Sequence, residues 1–187
     1  MSYAPKIGFL CASLREGSIN QKLESALMAL ADEVGVEAEK TDLNDYELPL
    51  YHGDIKPPAA VESLIERMKG YDGIVVVTPE YNGSLPPLLK NMIDWTSTVS
   101  TDHIKGPVYG IASCTPGPMS GIMCMRQVQY ILTRLGGEVV PTQVGVGNAA
   151  KAFDEDGRLA AGRSADFATS MLEAVKTRVL QKRALEG

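Results

Sequence analysis

The chain has 187 residues, 44% hydrophobic and 22% charged, a balance that suits one globular domain with a full hydrophobic core. Lys and Arg total 18 against 23 Asp and Glu, a net charge of −5, which argues against nucleic acid or an anionic membrane surface as partner. Three cysteines (Cys11, Cys114, Cys124) with no CxxC spacing, and two histidines with no cysteine nearby, make a disulfide framework and a zinc or other metal site unexpected and favour a reducing, cytoplasmic setting. No apolar run approaches the roughly 20 residues of a membrane span, and the first residues, Met-Ser-Tyr-Ala-Pro-Lys, lack the basic start and apolar core of a signal peptide.

Lys6 to Cys11 reads as a short buried strand. After a polar turn, Ser18 is placed to cap a helix whose apolar face is Leu23, Ala26, Leu27, Leu30 and Val34, and Gly35 stops it. Val36 to Asp42 alternates as a second, more exposed strand, and a long loop runs from Leu43 to Pro58. A helix from Ala59 to Lys69 buries Val61, Leu64, Ile65 and Met68. Gly73–Val77 is a buried strand feeding Thr78-Pro-Glu-Tyr-Asn-Gly83, where Asn82-Gly83 is a strong turn pair. A helix then starts near Pro86 and Pro87, in the first turn where proline is tolerated, with Leu85, Leu88, Leu89, Met92 and Ile93 on one face. His52 and His103 read as loop residues, and Trp95 as core or interface.

Pro107 to Ser113 is a fourth strand, Ser120 to Leu135 a helix closed by Gly136-Gly137, and Val139 to Val146 a fifth strand. A last helix spans Ala165 to Lys182 with Phe167, Met171, Val175 and Val179 on its apolar side. The 120–135 helix is apolar over more than one stripe, which fits either a well-covered core helix or a subunit interface. Short apolar strands alternating with helices predict an α/β domain spanning residues 1–187, with a parallel sheet covered on both faces. Five strands fit the flavodoxin-like order 2-1-3-4-5, a three-layer sandwich whose ligand sits beside strands 1 and 3.

Three loops fall at the carboxyl ends of strands 1, 3 and 4. In the first, a helix N-terminus offers free N–H groups to a phosphate. Ser13, Ser18 and Asn20 add side-chain donors, Arg15 adds charge and Gly17 lets the chain turn. Without a Gly-Lys-Ser/Thr ending or a GxGxxG, neither a nucleoside triphosphate nor a Rossmann dinucleotide is indicated. A terminal monophosphate, as on FMN, fits; so does an ordinary capped helix. In the second loop, Pro79 and Tyr81 offer apolar surface and Asn82 can donate and accept. Glu80 reads either as a general base or as a carboxylate that orients its neighbours; flavin hydride chemistry needs no protein base. In the third, Pro116 and Gly117 shape a backbone that allows close approach to a ring, and Cys114 reads as a small, semi-buried residue, since no basic partner is in view.

The segment Ser13-Leu-Arg-Glu-Gly-Ser-Ile-Asn20 resembles the S-L-R-x-x-S-x-N phosphate loop of the NADPH-dependent FMN reductase family, which includes quinone, azo and chromate reductases. Thr78-Pro-Glu-Tyr-Asn82, followed by Lys90, Asn91, Ile93, Asp94 and Trp95, resembles that family's flavin loop and helix. Pro49-Leu-Tyr51 resembles a segment near the active site, often at the subunit interface, and Ser113 to Gly117 resembles its S-x-x-P-G loop. The resemblance implies a flavodoxin-like fold, non-covalent FMN, NADPH or NADH as donor, a homodimer or tetramer, and ping-pong transfer to quinones or other small acceptors (ferric complexes, chromate, azo compounds, flavin). It assigns the FMN phosphate to Ser13, Arg15, Ser18, Ile19 and Asn20. It assigns the isoalloxazine to Pro79, Glu80, Tyr81, Asn82 and Gly83 with Ser113, Pro116 and Gly117, and leaves the chemistry to the cofactor, with no catalytic residue. The alternative is a flavodoxin-type electron-transfer or regulatory flavoprotein without NAD(P)H activity. Ala12, Gly83, Pro118 and Met119 depart from the family's usual residues; the last two stand where relatives often carry smaller or polar ones.

Overall fold

The computed structural model describes residues 3–186. Six parallel strands form one sheet: β1 (Lys6–Cys11), β2 (Glu37–Thr41), β3 (Gly73–Val77), β4 (Val108–Cys114), β5 (Glu138–Val139) and β6 (Val144–Val146). Their order is β2-β1-β3-β4-β5, with β6 also pairing β4, so the expected flavodoxin-like arrangement holds. The helices are α1 (Ile19–Val34), α2 (Ala59–Lys69), α3 (Pro87–Val99), the short α4 (Asp102–Lys105), α5 (Ile122–Arg134) and α6 (Arg163–Glu186). One core packs α1 and α6 against the sheet around Phe9, Leu23, Leu27, Met171 and Val175. The other packs α2, α3 and α5 around Leu10, Leu64, Leu89, Tyr109 and Val128.

Four expectations need correction. The single strand over 139–146 is two short ones, β5 on Val108–Tyr109 and β6 on Ala112–Cys114. Pro141 lies in the gap and has no N–H to give a ladder. Helix α5 begins at Ile122, not Ser120, because Ser120 and Gly121 both take left-handed φ values of 57° and 71°. Phe167 lies outside the core: α6 buries Ala168, Met171, Leu172, Val175 and Val179, a helical repeat that puts position 167 on the adjoining, solvent-facing side. His103 is no loop residue. It lies on α4 at 0% exposure, and burial pushes its imidazole down to about 4, so it is neutral.

On α5 the buried stripe is Cys124, Met125, Val128 and Leu132, while Ile122, Met123 and Tyr130 remain exposed. It is a core helix on one side and an uncovered apolar surface on the other.

Candidate active site

The carboxyl ends of β1, β3 and β4 meet at a cavity of about 260 Å³. The first loop contributes Ser13, Arg15, Ser18, Ile19 and Asn20; the second contributes Pro79, Glu80 and Tyr81; the third contributes Cys114, Thr115 and Pro116. The loops leave adjacent strands in register: Ala12 N–H donates to the Val77 carbonyl at 2.8 Å and Thr78 N–H to the Ala112 carbonyl at 2.9 Å.

Ser18 caps α1, its Oγ accepting from Asn20 N–H at 3.2 Å and its carbonyl from Lys22 N–H at 3.1 Å. The first turn of α1 carries no acidic residue, and exposed Arg15 has no carboxylate partner among the described residues. A helix N-terminus, two buried serines (Ser13 and Ser18) and a free guanidinium together favour an anion. Asn20 ties the first loop to the third. Its Nδ2 donates to the Cys114 carbonyl at 2.9 Å and its Oδ1 accepts from Cys114 N–H at 2.8 Å. That bidentate clasp engages the carboxamide oxygen and one of its N–H groups.

Asn82 and Gly83 form the expected turn. Both have positive φ, 51° and 75°, and Tyr81 and Ser84 exchange N–H···O=C bonds of 2.9 and 3.0 Å. This is the geometry in which Asn-Gly is favoured. The turn is exposed and does not line the cavity. Nor does Ser113: it is fully buried, with the Cys124 thiol 3.6 Å from its Oγ. Gly117 also lies outside the lining, its carbonyl accepting from Thr115 Oγ1 at 3.0 Å and Asn148 N–H at 3.1 Å.

Glu80 caps α5. A single oxygen, Oε2, accepts from the N–H groups of Met123 (3.0 Å) and Cys124 (3.1 Å). Gln127 on α5 holds the other end of the same loop. Its Oε1 accepts from Ser84 Oγ (2.7 Å) and Leu85 N–H (3.2 Å), and its Nε2 donates to the Gly83 carbonyl (3.3 Å). Helix α3 holds the 48–51 segment in a similar way. Asn91 accepts from Tyr51 N–H at 2.8 Å and donates to the carbonyls of Leu48 (3.3 Å) and Pro49 (3.0 Å). Trp95, 1% exposed, donates its indole N–H to Pro49 O at 2.6 Å and meets the Tyr51 ring edge-on at 5.0 Å.

Burial pushes the Cys114 and Cys124 thiols up to about 11 and Cys11 to about 12, so none is a thiolate near neutral pH. Glu24, one turn past Asn20 on α1, is buried, with Oε1 unpartnered and Oε2 3.8 Å from Lys40 Nζ. Desolvation, aided by nearby Asp42, raises its carboxyl to about 7. Cys114, read from sequence as a semi-buried residue of the third loop, is instead the fully buried last residue of β4 and lines the cavity. Thr115 as a lining residue and Gln127 as a loop holder were not singled out from sequence.

The NADPH-dependent FMN reductase family model matches residues 5–151. A quinone reductase of Escherichia coli (strain K12) is 35% identical over 147 residues, 75% of this chain and 76% of that protein. An NAD(P)H-dependent FMN reductase of Pseudomonas aeruginosa is 29% identical over 182 residues, 94% of this chain and 96% of that one. Among solved structures, FerB, a flavoenzyme NAD(P)H:(acceptor) oxidoreductase from Paracoccus denitrificans, aligns with a TM-score of 0.81 at 25% identity, covering 95% of this chain and 98% of that one.

Proposed function

The chain belongs to the NADPH-dependent FMN reductase family, and on that premise we propose that it passes electrons from NAD(P)H to quinones or similar small acceptors in two half-reactions at one open site. The observation that carries this reading is the meeting of three strand-end loops around one anion-favouring cavity. Its volume of about 260 Å³ falls short of the roughly 300–1,000 Å³ that encloses a whole small ligand. It suits a phosphate and its polyol chain, with a ring system lying at the mouth.

In this reading Ser13, Arg15, Ser18, Ile19 and the first N–H groups of α1 hold the phosphate of FMN. Asn20 holds the third loop against the first. Pro79, Tyr81, Asn82 and Gly83 border the flat ring on one side, and Thr115, Pro116 and Gly117 on the other. When bound, FMN supplies the chemistry, taking a hydride from the nicotinamide and handing electrons on to the acceptor. The protein supplies fixed main-chain donors where negative charge develops. Glu80, its carboxylate bonded to two N–H groups of α5, shapes the loop and moves no proton.

We propose a homodimer or tetramer, a reading supported by the exposed apolar side chains of Leu50, Tyr81, Met123 and Tyr130. Three free, buried cysteines suit the reducing cytoplasm. Among the described residues, no helix is long and apolar enough to cross a membrane. The test is direct. Under anaerobic conditions NADPH or NADH bleaches the yellow FMN-loaded protein, and a quinone added after the nucleotide is removed restores the colour. Protein that stays yellow with both nucleotides refutes the proposal.

A further inference from the structure

A second cavity, about 620 Å³, opens on the other side of the β4–α5 loop. Thr115 and Pro116 line the first cavity; Pro118, Met119 and Ser120 line the second. One loop is therefore the wall between them. That wall is fixed from several directions. Thr115 N–H donates to the Val146 carbonyl (2.9 Å), Ala149 N–H to the Thr115 carbonyl (3.2 Å) and Asn148 N–H to the Gly117 carbonyl (3.1 Å). Gly145 and Gly147 let it pack closely: a Cβ at position 147 would lie 2.8 Å from Ser120 Oγ and 3.0 Å from the Gly117 carbonyl oxygen. The cavity is thus preformed, and its volume lies within the range that holds small ligands.

Its lining has a specific chemistry. Met119, 65% exposed, and the exposed side chains of Ile122 and Phe167 supply apolar surface. Among the described residues, Arg163 is its one charged lining residue. The guanidinium lies 5.1 Å from the centre of the Phe167 ring and pairs with no carboxylate among the described residues, although the chain is acidic overall. The Asn148 carboxamide, also on the lining, makes no hydrogen bond among the described residues. An arginine stacked on an aromatic ring, with its fork free, is suited to a planar group that carries an anion.

We propose that this cavity binds a planar aromatic group with an anion attached to it, either on the ring or through a sugar, with Arg163 as the anion's partner and Met119 and Phe167 as apolar contacts for the ring. The inference rests on the reductase reading for its ligand. Two molecules that such an enzyme meets have this chemistry: the adenosine 2′-phosphate end of NADPH and an aromatic acceptor with an acidic substituent.

The experiment is calorimetric titration of the FMN-loaded protein with two pairs of non-reducible probes, 2′-AMP against adenosine and 2-naphthalenesulfonate against 2-naphthol. At least one anion is expected to bind better than its neutral counterpart, and Arg163→Met to weaken that anion by about tenfold or more while leaving the neutral probe unchanged. Sensitivity confined to 2′-AMP assigns the site to the nucleotide; sensitivity confined to the sulfonate assigns it to the acceptor. If neither anion binds, or if binding is the same in Arg163→Met, the inference fails. Arg163 is exposed, so the variant is expected to fold, and an unchanged melting temperature checks this. FMN content, read by absorbance in the same samples, reports separately on the reductase reading. FMN-loaded protein with no Arg163-dependent binding sinks only the inference, and Arg163-dependent binding in protein that cannot take up FMN sinks only the reductase assignment.

Discussion

Glu80 is the residue on which the two readings of the 78–84 loop part. Its carboxylate lies in the loop that borders the proposed ring site, yet its Oε2 is committed to the N–H groups of Met123 and Cys124. Those are free donors of the first turn of α5, where a negative charge also meets the positive end of the helix dipole. Glu80→Gln keeps an oxygen of the same reach and removes the charge, at an expected cost of about 1 kcal/mol. Glu80→Ala leaves both donors without the carboxylate and is expected to cost about 2 kcal/mol. For a chain of this length these losses lower the melting temperature by about 2–4 °C per kcal/mol.

A general base contributes roughly 10²–10⁴-fold to rate, so the assay separates the roles. Single-turnover reduction by NADPH is measured at saturating FMN, beside thermal melting of the same samples. The capping role predicts Glu80→Gln within a few-fold of wild type in rate and a few degrees lower in melting temperature. A rate loss of about 100-fold or more with an unchanged melting temperature would refute it and make Glu80 the proton carrier.

Ser18→Asp sets a carboxylate at the α1 cap, where the proposed function puts the FMN phosphate; FMN affinity, followed by fluorescence, is expected to fall by about 100-fold or more, and unchanged affinity would put the phosphate elsewhere. Asn91→Leu removes three hydrogen bonds to the 48–51 segment, part of which water replaces. A loss of about 2 kcal/mol in urea unfolding is expected, and a loss under about 0.5 kcal/mol would show that the segment is held by Trp95 packing alone. Glu24 has its folded carboxyl raised to about 7 from 4.5, so its stabilising contribution is complete below pH 4.5 and lost as pH rises through 7. His103, lowered to about 4 from 6.5, contributes above pH 6.5 and loses that contribution as pH falls through 4. The two slopes oppose each other between pH 4.5 and 6.5. Glu24→Gln removes one of them, so stability should then rise more steeply over that interval. Relative to wild type, the variant should gain about 3 kcal/mol between pH 4.5 and pH 8; identical pH profiles would contradict the burial argument.

The meeting of three loops at the candidate site was legible because strand positions were. Once Lys6–Cys11, Gly73–Val77 and the strand ending near Ser113 are read as parallel strands in the order found, their following loops must share one edge of the sheet. The loops' short motifs then need no further geometry to meet. What hydropathy does not report is the reach of a single polar side chain. Asn20 and Cys114 are 94 residues apart, and Gln127 and Ser84 are 43 apart. No periodicity links such pairs, so the clasp and the loop holder emerge only from the fold. Pro141 was a signal present in the sequence: a proline inside an apparent strand argues for a break, and the break is there.

The α5 helix shows why the remaining ambiguity was of a different kind. Its apolar residues exceed one stripe, a pattern that suits both a core helix and an interface helix. In the fold, Cys124, Met125, Val128 and Leu132 account for the core stripe, and the excess residues Ile122 and Met123 lie in the first turn, beside the N–H groups that Glu80 holds. The exposed apolar turn is thus anchored to the 78–84 loop. Covering Met123 with a second subunit would stiffen the Glu80 cap, and through it the wall of the candidate site. Subunit association and FMN affinity are therefore expected to rise and fall together. Glu80→Ala, which cuts the link between α5 and the loop, is the variant that should uncouple them.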